Sequence, residues 1–404
     1  MQTDVRQING ATIIFLHRKE FYTFHIEAFL TLGSWNESKS NQGISHFLEH
    51  CIVKGQKGEI LSKNFLKKGG TTYPGRTRYW WKCPSTFATS TTDFALKSLI
   101  NPQLLDIQIQ KERQAIRQEL SDSKNDPIEY LNNLIDQHLS PPHSQSSNNL
   151  LGTIESLNNI TGQQIRDWHQ EHYHSSNMFF VVSGNFNQSE LEQLFSKNIP
   201  VTNLEPIPIP APDEIIIQQG KFNGTAPVQK SIIKILFPLP NLFYEKVDQL
   251  VFCQYLENQL CRGELSFQSV LRGKLGMVYD SQTYIDNYNQ KYFLTVKATC
   301  EDQFLEPMET AIKNHWREIC TNHDIPRSLL DKVDSYIEEE RMACDNQDKF
   351  ISQLSYLFLK SKTLVLPESL KSYLNPENIQ SCFDYISKNY DQNRYYTFIV
   401  SKTN

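Results

Sequence analysis

The apolar positions follow two periods. At Phe24, Ile26, Ala28, Leu30 and Leu32 they alternate with other residues, which predicts a strand with one covered face over residues 24–32. Residues 11–16 read as a strand as well. Gly33 ends the second strand, and after a polar loop over 36–42 the period becomes helical across Gly43-Ile-Ser-His-Phe-Leu-Glu-His-Cys-Ile-Val-Lys54. A further helix is predicted over 60–68, with Gly69-Gly70 as its C-cap. Residues 71–82 are strand-like and aromatic, and Pro74-Gly75 inside them argues for an edge strand or a bulge. Helices follow over 93–100 and 104–120. Asp126-Pro127 opens another, residues 165–173 are helical, and 178–182 return to the sheet.

Between residues 199 and 219 prolines alternate with apolar residues (Pro200, Pro206, Pro208, Pro210, Pro212), as in an extended connector. Beyond it strands are predicted over 231–237, 277–285, 292–299 and 395–400. Helices are predicted over 247–260, 267–273, 304–319, 329–342, 351–359 and 379–389. Each half therefore carries strands and helices in a similar order. The expected class is α+β, a tandem duplication of αβ domains, each an antiparallel-rich sheet with helices packed on one side. The expected boundaries are 1–200 for the first domain, 201–222 for a Pro-rich linker and 223–404 for the second.

A length of 404 residues favours two cores, and 39% apolar residues suffice to build them. A net charge of −5 implies neither a nucleic-acid-binding face nor an acidic tail. The eight cysteines show no ligand spacing and mostly sit in apolar segments, which suits a reducing, cytoplasmic setting. No signal peptide is visible at the N-terminus, and no stretch approaches the ~20 apolar residues of a membrane span.

The chemistry concentrates in His46-Phe-Leu-Glu-His50. On a helix, positions i, i+3 and i+4 share one face, so both imidazoles and the Glu49 carboxylate point the same way. Two neutral imidazoles four apart can grip one Zn²⁺, with the carboxylate beside it as a base for water. The bland alternative is a helix with two exposed histidines. In the helix over 104–120, Glu112 and Glu119 are seven residues apart and so lie on one face. A second cluster, His169, Glu171, His172 and His174, lacks an acidic residue downstream at ligand spacing and reads as a wet helix end.

Taken with Gly43-Ile-Ser before it and Lys54-Gly55 after it, His46-Phe-Leu-Glu-His50 resembles the core motif of the pitrilysin-like M16 metallopeptidases. The short, two-domain branch that includes the mitochondrial processing peptidase β subunit and bacterial relatives fits this length. Gly152-Thr-Ile-Glu-Ser-Leu, residues 165–173 and residues 177–185 are similar to the end of that family's first domain. Leu271-Arg-Gly-Lys-Leu-Gly-Met-Val-Tyr279 is similar to its arginine–tyrosine segment.

The resemblance implies Zn²⁺ held by His46, His50 and Glu119, with Glu49 as general base and Glu112 orienting a ligand from behind. Arg272 and Tyr279 would hold the substrate carbonyl and the oxyanion. It further implies an endopeptidase for peptides or unfolded segments, enclosed in a clamshell formed with a second copy or with another M16-like chain. An extended substrate would add to the strand over 71–82, with Tyr79, Trp80 and Trp81 available for pockets or equally for the core. Relatives usually carry an asparagine in that edge strand, and Thr71-Thr-Tyr-Pro-Gly75 has none. The other class compatible with the chain is a non-catalytic peptide-binding or complex-assembly subunit.

Overall fold

The computed structural model describes residues 2–55, 66–123, 125–139, 149–208, 220–240, 246–278, 281–288 and 291–402. The chain divides into two compact units, Met1–Ser123 with His143–Ala211, and Lys124–Pro142 with Pro212–Asn404.

In chain order the first half supplies β1 (Gln2–Ile8), β2 (Ala11–His17), β3 (Thr23–Leu30), α1 (Ile44–Gly55), β4 (Lys67–Tyr73), β5 (Arg76–Pro84), α2 (Ala88–Ile100), α3 (Asp106–Ser123) and α4 (Pro127–Leu139). There follow α5 (Ile154–Asn159), α6 (Gly162–His172), β6 (Met178–Gly184) and α7 (Gln188–Asn198). The second half supplies β7 (Gly220–Ala226), β8 (Ser231–Pro238), α8 (Val247–Arg262), β9 (Ser281–Tyr288), β10 (Lys291–Cys300) and α9 (Leu305–Thr321). It closes with α10 (Ile325–Leu330), α11 (Val333–Ala343), α12 (Gln347–Ser361), α13 (Leu370–Tyr373), α14 (Pro376–Asn389) and β11 (Tyr396–Lys402).

The first sheet has the order β1-β2-β6-β3-β5-β4, and the second β7-β11-β8-β10-β9. Among the described residues only β2 with β6, and β7 with β11, run parallel. Without β1 the orders superimpose strand for strand, so the duplication expected from element order holds at the level of topology. The first core joins β2, β3, β5 and β6 to α1, α2, α3, α6 and α7 through Phe15, Ile26, Tyr79, Phe180, Phe47, Leu96, Ile116, Ile165 and Phe195. The second joins β8 and β10 to α8, α9 and α14 through Ile235, Val296, Leu256, Ile312 and Phe383.

Several expectations are corrected. Residues 125–139 fall within the expected first domain, 1–200, but Leu131, Ile135 and Leu139 of α4 pack on Phe398, Tyr396 and Leu236 of the second sheet, on the face opposite α8. Half of the linker expected over 201–222, residues 209–219, lies outside the described residues, and its last three positions already belong to β7. Strand β3 is buried on both faces from Phe24 to Leu30, so its polar positions are not solvated. Glu27 is fully buried, taking two bonds from Arg78 (Nε–Oε2 2.6 Å, Nη2–Oε1 2.5 Å) with His25 Nε2 at 3.1 Å from Oε1.

The helix expected over 60–68 falls mostly outside the described residues, and Lys67 and Lys68 are strand. Gly69-Gly70 cap no helix, because both lie inside β4. Pro74-Gly75 is the two-residue connection of the β4–β5 hairpin, between the paired Tyr73 and Arg76. The helix predicted over 329–342 is broken into α10 and α11. Among the described residues no helix is long and apolar enough to cross a membrane.

Candidate metal centre

Helix α1 is launched by a tight turn. Gly43 has φ +90°, and a Cβ there would lie 2.8 Å from the backbone of Gly152, whose own φ is +77°. The orphan amides at the start of α1 are met by Glu37: Gly43 N–H donates to Oε2 at 2.7 Å and Ser45 N–H to Oε1 at 2.8 Å. Glu37 is fully buried, and burial pushes its pKa up to about 7 against the pull of those donors.

Phe47, Leu48, Cys51 and Ile52 turn into the core, which leaves His46, Glu49 and His50 on the other side of the helix. Their rings and carboxylate face α3, whose Ile109, Ile116 and Leu120 anchor it to the same core. Glu119 Oε2 lies 3.9 Å from His46 Nε2 and 3.4 Å from His50 Nε2, and one ligand atom of each residue falls within 4.8 Å of the others. Zinc bonds of 2.0–2.2 Å in a tetrahedron put neighbouring ligand atoms about 3.4 Å apart. The three residues therefore fit the ion, and a His₂Glu set with one position left over is a catalytic rather than a structural pattern.

The surroundings set the protonation of this group. Glu112 Oε2 lies 3.4 Å from His50 Nδ1, so a proton kept on Nδ1 would free Nε2, on the Glu119 side, to serve as the ligand when a metal is bound. Burial opposes charge on His50, but Glu119, Glu49 and Glu112 outweigh it and hold its pKa above the ordinary value. His46 is pulled down to about 4, first by burial and then by the His50 charge. The His50 hydrogen bond holds Glu119 below the usual carboxylate range. Glu49, 6% exposed, is pushed up to about 7 by burial and by Glu119.

Glu49 also explains Gly70. A Cβ at position 70 would lie 2.3 Å from Glu49 Oε1, so only glycine lets the carboxylate rest on the edge strand. Neither this role nor that of Glu37 emerged from the sequence. The available signal for Glu37 is an acid placed six residues before the helix-opening glycine.

The remaining predicted residues are placed differently. Arg272 lies exposed on a π-helical turn (Ser269–Lys274) of the second unit, and Tyr279 lies outside the described residues. The His169 cluster is no wet helix end. His169 Nε2 meets Leu99 O at 2.7 Å, His172 Nδ1 meets Trp168 O at 2.9 Å, and His174 Nδ1 meets Ser176 Oγ at 2.6 Å. All three rings are committed to local structure.

The duplication adds a finding that residue-level reading missed. Helix α8 follows β8 and runs beside edge strand β9, as α1 follows β3 and runs beside β4. Its Gln254-Tyr-Leu-Glu-Asn258 has the pattern of His46-Phe-Leu-Glu-His50 in α1, with amide side chains at the two histidine positions. Tyr255 and Leu256 are buried like Phe47 and Leu48. Glu257 Oε2 accepts the N–H of Ile285 in β9 at 3.2 Å, and Asn258 Nδ2 donates to Glu339 at 3.1 Å. Amides in place of imidazoles keep the frame and remove the nitrogen ligands.

Residues 23–149 match the family profile described as insulinase (peptidase family M16), and residues 159–335 match the peptidase M16 inactive domain, which contains α8. An uncharacterized zinc protease of Rickettsia felis is 24% identical over 331 residues, 76% of this chain and 75% of the relative. Cytochrome b-c1 complex subunit 1 of Bos taurus is 25% identical over 206 residues, 49% of this chain and 42% of the relative. The crystal structure of a protease from Helicobacter pylori superimposes with a TM-score of 0.76 at 16% identity, covering 99% of both chains.

Proposed function

Since the chain belongs to the M16 peptidase family, we propose that it is a zinc-dependent endopeptidase acting on peptides or unfolded segments. One observation carries this function: two imidazole nitrogens and a carboxylate oxygen converge within 4.8 Å beside a buried Glu49 whose pKa burial pushes up to about 7. His46, His50 and Glu119 would hold Zn²⁺. When bound, the ion polarises a carbonyl and lowers the pKa of water to about 7.

Glu49 takes a proton from the attacking water and returns it to the leaving amine, a task suited to a group that titrates near neutrality. Glu112 keeps the His50 ring in one orientation and one tautomer. The substrate backbone pairs with edge strand β4, which brings its carbonyl past Glu49. Arg272 and Tyr279 hold the substrate carbonyl and the oxyanion. A second copy, or another M16-like chain, completes the chamber.

A non-catalytic, complex-assembly subunit is the second possibility, supported by the likeness to the bovine cytochrome b-c1 subunit and by the absence of the edge-strand asparagine. Incubation with a quenched-fluorescent peptide, with and without a chelator, separates the two. The expected result is metal-dependent cleavage that falls roughly 10²–10⁴-fold in Glu49→Gln while zinc stays bound. Peptide binding that ignores chelator, without hydrolysis, supports the assembly subunit instead.

A further inference from the structure

Beside Glu49, strand β4 ends the first sheet, with no further strand beyond it among the described residues. Its pairing with β5 sorts the side chains onto two faces. Lys68 with Trp81, Gly70 with Tyr79 and Thr72 with Thr77 face α1; Lys67 with Lys82, Gly69 with Trp80 and Thr71 with Arg78 face away. Tyr79 and Trp81 are core residues at 0% and 2% exposure, whereas Trp80 is only half-buried.

The Trp80 ring lies over Gly69. A Cβ at position 69 would be 2.7 Å from indole Cε2, Cζ2 and Nε1. Gly69 is not among the glycines with positive φ, so backbone freedom does not account for it. What the missing side chain provides is room for the indole to reach across the edge strand towards its open side. Cross-strand neighbours share a face, so the residue of an added strand that sits opposite Gly69 directs its side chain at this ring. The residue next to it, opposite Gly70, lies against Glu49.

We propose that Trp80 and Gly69 form a specificity subsite for a large apolar, best aromatic, side chain of an extended peptide, adjacent to the residue that passes Glu49; the assignment rests on the peptidase function above. Exposed Lys67 lies on the same face two residues along β4, which adds a preference for an acidic substrate residue two positions away. The substrate class is thus an extended segment that alternates aromatic and acidic residues on the face turned away from α1.

The test uses zinc-loaded full chain and quenched peptides that differ only in Phe or Ala, moved through successive positions. At one position the Phe peptide should exceed its Ala counterpart about three- to tenfold in kcat/KM, carried by KM, as aromatic stacking allows. Trp80→Ala should bring that ratio to about one, and Trp80→Phe should keep part of it, with zinc content and melting temperature recorded for each. A Phe/Ala ratio that is the same in wild type and Trp80→Ala at every position overturns the subsite. Absence of any hydrolysis by the wild type refutes the peptidase function separately. The ratio of Kd values on the zinc-loaded Glu49→Gln variant, read by fluorescence anisotropy, then still decides the subsite.

Discussion

Replacing Gly70 with alanine tests whether Glu49 is held in place by the edge strand. The new Cβ would start 2.3 Å from Oε1 and 2.7 Å from Cδ and Cγ of Glu49, while ordinary contact begins at 3.4 Å. The carboxylate must therefore retreat by about 1.1 Å, the difference of those two distances. Gly70 is not among the positive-φ residues, so its backbone accepts alanine, and the atoms that move are the far end of one side chain. The fold should hardly notice. Catalysis should, because a misplacement of about 1 Å costs on the order of 10²-fold, or roughly 2.7 kcal/mol of transition-state stabilisation. The assay is kcat/KM on a quenched peptide, beside zinc stoichiometry and thermal unfolding. Gly70→Ala should lose about two orders of magnitude in kcat with one zinc per chain and an unchanged melting temperature. Activity within threefold of wild type would refute the placement of Glu49.

Glu112→Gln should weaken zinc binding about 10–100-fold, measured by chelator competition, because it removes the carboxylate behind His50 Nδ1; unchanged affinity would contradict that role. Glu257 offers a pH test in the second unit. Burial raises its pKa from 4.5 to about 7, so the folded state holds its proton more tightly than the unfolded chain. Its favourable share of stability is therefore complete below pH ~4.5 and is lost as pH rises towards ~7. Glu257→Gln should be the more stable protein at pH 8, by at most about 3 kcal/mol in urea unfolding, with the gap narrowing at pH 5. A gap that does not change with pH would contradict the raised pKa.

How far the sequence was legible depended on the range of the interaction. His46, Glu49 and His50 share a face by helical period alone, and Glu112 and Glu119 sit two turns apart on one helix; such local rules survive folding. Glu119 became a ligand candidate only through family resemblance, because spacing does not say which helix α1 will meet. Gly69-Gly70 looked like a helix cap since two glycines follow a helix-like run, yet their reason is tertiary: one makes room for Trp80, the other for Glu49. The polar positions of β3 looked solvent-facing because their partner, Arg78, lies on another strand. Helix α4 was assigned by chain position, and its contacts carry it to the second sheet. The likeness of 254–258 in α8 to the zinc motif is masked by two amides, while its aromatic, leucine and glutamate stand in plain sight at 255, 256 and 257.

Anomalous scattering at the zinc edge, from crystals of the zinc-loaded protein, bears most directly on the centre. A single strong peak within about 2.0–2.2 Å of His46 Nε2, His50 Nε2 and a Glu119 oxygen is the predicted result. A peak at other residues, with these three side chains left uncoordinated, would contradict it.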